Sequence, residues 1–266
     1  MSDNIIKIFS AVILAFVVFI NSIGNFIGVG DIIPTQPGET TTSATETTTA
    51  FDGDLPQTKE EIIAYFNTAI NNAKSNSKSI TSNYMKHEVA GEITGLPSAL
   101  SSIGQTLIKD NMGEDENMKN ITWSSAADKN LYFPVEKETW ASKLTADDVK
   151  SAAFTEKNGK YLITITTKDD ARSENQKHGE GHAPKAFNVV LPAIINDSIP
   201  AVVKTMFGVR SASVAYPAST VKVMIDPATG NVVNANYFLY WTMYIPINGT
   251  DVVLPFSTEN DYTINW

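Results

Sequence analysis

The sequence predicts an α+β fold: a curved antiparallel meander packed against N-terminal and middle helices, preceded by a single N-terminal transmembrane helix. Three observations predict it. Ile5 to Ile33 is an apolar run of membrane-spanning length. Apolar residues recur at helical spacing after Thr58. Four strand-like runs then close the chain between Ser211 and Trp266. Helices first and consecutive strands later is the pattern of a sheet with helices on one face.

The apolar run has Lys7 before it and Asp31 after it, so the positive-inside rule puts the N-terminus in the cytoplasm and the rest outside. Two readings compete: a signal peptide cut behind Gly28-Val29-Gly30, and an uncleaved anchor. No Ala-x-Ala site follows the core, and the length favours a signal-anchor over residues 1–33. Residues 34–56 contain the tract TQPGETTTSATETTTA, which has too little apolar surface to offset the cost of ordering the chain. We expect a disordered Thr-rich linker there, able to reach about 75 Å when extended. Residues 57–266 then form an extracytoplasmic α+β domain.

Within that domain, Thr58-Lys-Glu-Glu61 is a capping box. Ile62, Ile63, Phe66, Ala69, Ile70 and Ala73 follow on one helical face, predicting a helix from Lys59 to about Lys74. Ser77 to Glu92 reads as an extended strand, and Pro97 opens a second helix from Ser98 to about Lys109. Asn111 to Asn130 is loop-like, while Phe133-Pro-Val and Trp140 to Leu144 read as short extended pieces. Thr145-Ala-Asp-Asp148 starts a turn or helix. Asn158-Gly159 between two alternating runs predicts a type I′ hairpin. Val189 to Phe207, broken by Pro192 and Pro200, predicts one or two short helices. Asp226-Pro-Ala-Thr-Gly230 and Asn248-Gly249 supply turns between the closing strands. In Asn236 to Ile245 both faces are apolar, which predicts a central strand covered on both sides. Phe238, Tyr240 and Tyr244 share one of those faces, the candidate surface for an apolar ligand.

Composition narrows the chemistry. The 266 residues include no cysteine, which removes disulfides, thiolate metal sites and cysteine nucleophiles. The net charge is −9 with only two arginines, Arg172 and Arg210, which argues against a nucleic-acid partner. His178-Gly-Glu-Gly-His182 places His178, Glu180 and His182 together as the candidate metal ligands, but the glycines oppose the helix that a His-Glu-x-x-His site needs. They fall in a polar stretch, Asp169 to Lys185, that reads as a solvated loop. His87 reads as a surface residue on a polar strand. Ser75-Asn-Ser-Lys78 lacks the partner motifs of a Ser-x-x-Lys enzyme, and no phosphate loop or dinucleotide fingerprint occurs. No cofactor is expected.

Leu144 to Asp169, with the helix Ile62-Ile-Ala-Tyr-Phe-Asn-Thr-Ala69, resembles exported proteins of Gram-positive gut bacteria. The closing strands from Thr220 through Asp-Pro-Ala-Thr-Gly230 to Trp266 resemble the LolA/LppX-type fold, which implies a curved antiparallel sheet over helices and, by implication only, lipid carriage. That lipoprotein pattern includes an N-terminal Cys, absent here. The expectation is a non-catalytic module, anchored in the membrane through its N-terminal helix, that binds an apolar ligand, a lipid or a surface component. A surface enzyme with a metal in the 169–185 loop and a purely structural ectodomain are the alternatives.

Overall fold

Thr58 begins the fold with the reciprocal cap its sequence encodes. Its Oγ1 accepts the Glu61 N–H at 3.2 Å, and Glu61 Oε2 accepts the Thr58 N–H at 3.0 Å. In the computed structural model, which describes residues 55–96, 101–110, 112–199, 201, 204–205 and 208–266, this cap opens helix α1 (Lys59–Asn76). The expected transmembrane helix, 1–33, and nearly all of the 34–56 linker lie outside the described residues. Among the described residues no helix is long and apolar enough to cross a membrane. The predicted apolar face of α1 is the buried one: Phe66, Ile70 and Ala73 are fully enclosed.

Further helices are α2 (Ser101–Asp110), α3 (Ala126–Tyr132) and α4 (Pro192–Ser198). The strands are β1 (Ser79–Val89), β2 (Gly113–Glu114), β3 (Ile121–Trp123), β4 (Val149–Lys157), β5 (Lys160–Thr167), β6 (Asp170–Ser173), β7 (Ser213–Tyr216), β8 (Thr220–Ile225), β9 (Val232–Ile247) and β10 (Thr250–Asn265). They form one antiparallel sheet in the order β2-β1-β10-β9-β8-β5-β4, with β3 added to β1, and with β6 reaching β9 through β7. The α+β class with a large antiparallel sheet therefore stands.

Local turn chemistry places the hairpins. Asn158 and Gly159 have φ of 52° and 70°, and Asn248 and Gly249 have 49° and 84°, the left-handed pair that a type I′ turn demands. Strands β8, β9 and β10 follow one another as a meander. The rest is more intertwined than a meander: β1 lies beside β10, and the β4–β5 hairpin docks on β8. These pairings join segments far apart in sequence, which turn signals cannot report.

One face of the sheet is the core. Ile163 and Ile165 on β5, Val221 and Val223 on β8, and Tyr237, Leu239, Trp241 and Met243 on β9 are all buried there. Tyr237 sits at the centre of an aromatic cluster, its ring edge-on to Phe187 at 5.5 Å and to Tyr262 at 6.0 Å. Strand β9 is central, as its two apolar faces predict, with β10 on one side and β8 and β7 on the other.

Two expectations need correction. The loop-like stretch 111–130 carries β2, a 3-10 turn at Glu116–Met118, β3 and the start of α3. Pieces of two or three residues show no periodicity; pairing with β1 makes them strands. Conversely, Phe133-Pro-Val and Trp140 to Leu144 are not strands. Their backbone is buried and irregular, so its polar groups need partners, and α1 supplies them from a stripe at helical spacing. Asn67 Nδ2 donates to Leu144 O at 2.8 Å, and Asn71 Nδ2 donates to Ser142 O at 2.9 Å. Lys74 Nζ donates to Phe133 O at 2.9 Å, Val135 O at 2.7 Å and Trp140 O at 3.3 Å.

A second close approach ties the segment after β1 to β10. Thr94 N donates to Val253 O at 3.2 Å and Val253 N donates back to Thr94 O at 3.0 Å. Gly95 follows with φ of 78°, and a Cβ there would collide with the Asp251 carbonyl oxygen. Gly95→Ala should lower stability by about 1–3 kcal/mol in urea unfolding. An unchanged midpoint would show that the segment moves aside without cost.

Candidate functional site

The site starts from a change of parity in β1. A bulge between Ser82 and Tyr84 shifts the β1–β10 register, so the inward residues change from Ile80 and Ser82 to Met85 and His87. His87 thus faces the core side, opposite Thr258, and is not the surface histidine that the polar sequence suggested. Its Nδ1 lies 2.9 Å from Thr258 Oγ1, and its Nε2 is buried with no hydrogen-bond partner among the described residues. Burial pushes the imidazole down to about 4, with Asp115 pulling weakly the other way. The Met85-x-His87-x-Val89 alternation was the available signal, hidden because the bulge breaks it from Ile80 and Ser82.

A partly open cavity of about 50 Å³ adjoins His87. Met85, Leu239, Val189, Val190 and Ile194 make its apolar wall. Thr258, Asn260, Glu136 and Asn188 supply its polar groups, with Lys137. Asn260 is 5 % exposed and its Oδ1 has no partner among the described residues. Burial raises the Glu136 carboxyl above the usual range, against the pull of Lys137 and Lys74.

The wall from Asn188 to Ile194 is held in place. Asn188 Oδ1 accepts the Glu136 N–H at 2.7 Å, and its Nδ2 donates to Tyr132 O at 2.9 Å. Tyr216 Oη donates to Val190 O at 2.7 Å. Pro192 at the first turn of α4 fits because no N–H is needed there.

Thr258 and His87 have the composition of a nucleophile and its base, yet their chemistry differs. Thr258 Oγ1 already accepts from Trp241 Nε1 at 3.2 Å, and an imidazole driven to about 4 is a weak base at neutral pH. The arrangement offers hydrogen bonds inside an apolar enclosure, which suits recognition.

The residues singled out in the sequence lie elsewhere. Phe238 and Tyr240 stack edge-to-face, ring centroids 4.9 Å apart, on the opposite face of β9. Tyr240 is 40 % exposed there. Tyr244 lies under the Arg172 guanidinium, 4.4 Å from its ring, and Arg172 forks onto the Asp251 carboxylate. None of the three borders the cavity, which is reached from Leu239 on the other side of the strand.

The 169–185 stretch is tied down at both ends instead of being solvated throughout. It contains β6, and the Asp170 carboxylate accepts the N–H groups of His182 and Ala183 at 2.7 and 2.8 Å. His182 Nδ1 and Lys185 Nζ both reach Asp148 Oδ1, at 2.9 and 2.7 Å. His178 Nε2 lies 3.7 Å from Glu136, and Glu180 pairs loosely with Lys177 at 3.8 Å. His178, Glu180 and His182 thus turn to three different partners, and among the described residues no group of three or more His, Asp or Glu converges on a metal-sized site. Gly179 and Gly181, both at positive φ, break the helix that would have aligned them.

Compared with protein-family models, curated proteins and solved structures, the chain shows no match.

Proposed function

We propose that this chain is a non-catalytic binding module that takes a small apolar ligand into the cavity beside Leu239. The observation that supports it most is the combination found there: an apolar wall that also includes His87 and Asn260, each with a buried polar atom, Nε2 and Oδ1, that lacks a partner among the described residues. Buried polar atoms are normally satisfied, and unsatisfied ones at a cavity mark a place for another molecule. We further propose that the module stands outside the membrane, anchored by 1–33 and spaced by 34–56. Supporting this are the apolar run from Ile5 to Ile33, the lysine before it and the acids after it.

Native mass spectrometry of the full-length chain, released from its membrane fraction, tests both parts. The parent should carry an apolar adduct, and Val190→Phe, which fills the cavity, should lose it. A parent without adduct overturns the ligand reading. Recovery of the intact chain in the soluble cytosolic fraction overturns the location.

A further inference from the structure

We infer that the cavity ligand is neutral and enters with a hydroxyl, which accepts from His87 Nε2–H and donates to Asn260 Oδ1; this rests on the cavity being a ligand site, as proposed above. The donor is part of the proposal and is assigned from the contacts of Thr258. Trp241 Nε1 can only donate, so Thr258 Oγ1 is its acceptor at 3.2 Å. The Thr258 side chain is buried, and its own proton needs an acceptor as well. The other contact of Thr258 Oγ1 among the described residues is His87 Nδ1 at 2.9 Å. With Nδ1 accepting the Thr258 proton, the neutral imidazole carries its own proton on Nε2, which is the tautomer the proposal assigns. Nε2 is buried and has no partner among the described residues, and His87 is one of the residues that line the cavity.

The acceptor is Asn260 Oδ1, also buried and unpartnered. His87 lies opposite Thr258, and Asn260 is two residues further along β10 on the same face. Diagonal neighbours of this kind sit roughly 7 Å apart, too far for a direct bond and close enough for one bridging group. A hydroxyl is the smallest ligand group that both accepts and donates. An ether oxygen would leave Asn260 unsatisfied. A carboxylate has no donor for Asn260 Oδ1 and an ammonium no acceptor for His87 Nε2–H, so neither serves both atoms, although Lys137 and Glu136 also line the cavity. Burial drives His87 down to about 4. Val190 and Ile194, half-buried at the wall, remain for the apolar body of the ligand.

Two isomers with equal heavy-atom counts separate the possibilities: 1-pentanol and butyl methyl ether. The full-length chain in lipid nanodiscs is titrated with each while the methyl resonances of Leu239, Val190 and Ile194 are followed, so partition into lipid is not read as binding. The alcohol should saturate those shifts at about tenfold lower concentration, the worth of one to two neutral hydrogen bonds. Asn260→Leu and His87→Phe should each shrink that difference. Nitrogen-15 spectra of the His87 ring should show the proton on Nε2. Equal affinity for the two isomers, a difference that survives both substitutions, or a proton on Nδ1 overturns the hydroxyl inference while leaving the cavity a ligand site. No saturable methyl shift with either isomer overturns the cavity reading itself, and leaves water as the bridging group.

Discussion

Acidification from pH 7 to pH 2 should remove about 5 kcal/mol of folding stability, in two separate steps. The first belongs to His87. Its imidazole is held down to about 4 by burial, below the ordinary 6.5. Between those values the unfolded chain binds a proton that the folded chain refuses, so stability is complete above 6.5 and falls as pH drops toward 4. A shift of that size is worth about 3 kcal/mol. The second step belongs to Asp148. Burial alone would raise its carboxyl, but hydrogen bonds from Lys185, His182 and Thr145 outweigh burial and hold it at about 2, below the ordinary 3.8. Its contribution of about 2 kcal/mol is present above 3.8 and is lost as pH falls through 2. Urea midpoints measured across this range should show both steps, and His87→Phe should shrink the first, to which His178, also lowered by burial, contributes, while sparing the second. A flat profile between pH 6.5 and 4 would show that the His87 ring protonates without leaving its site.

Lys74→Met should cost about 3–5 kcal/mol, the second large effect. Lys74 is 1 % exposed, and its Nζ spans three carbonyls of the irregular segment that covers the end of α1. Burial pushes the ammonium down to about 7, opposed by Glu138 and Glu136. Three carbonyl acceptors favour the charged form, since an ammonium has three N–H donors and the neutral amine has two. Methionine would fill the space and leave Phe133 O without its donor, while Val135 O and Trp140 O keep backbone donors from Glu138 and Val135 at 3.2 and 3.3 Å. Denaturant unfolding measures the loss. A Lys74→Met chain as stable as its parent would mean that desolvating the ammonium cancels its three bonds.

Both effects trace to features that sequence patterns conceal. The capping box at Thr58, the apolar face of α1 and the two Asn-Gly hairpins are local devices whose residues meet within a turn of one another, so they could be read directly. The centrality of β9 was also legible from its two apolar faces, but the expected cover on both sides was not met: Phe238 and Tyr240 face outward and Tyr240 is 40 % exposed. The stripe Asn67, Asn71 and Lys74 was not. Polar residues at helical spacing read as a solvent face, and only the packing of 133–144 against α1 turns them inward. His87 was missed for a comparable reason: one residue of bulge reverses which side of β1 faces the core, and alternation in sequence carries no mark of it. The cluster His178, Glu180 and His182 illustrates the converse. Proximity in sequence brought three candidate ligands together, and Asp148 and Glu136, from distant segments, drew the histidines apart.

By itself, then, the chain's order of residues determined the class of fold, the first helix, the tight turns and the strand at the middle of the sheet, because each depends on interactions between near neighbours. Tertiary structure alone decided that β1 joins β10, that an irregular segment rests on three side chains of α1, and that an apolar cavity opens beside Leu239 while Phe238 and Tyr240 face outward. Those outcomes depend on which distant segments meet and in what register. A shift of one residue in register exchanges the two faces of a strand, and with them the place where a ligand can bind.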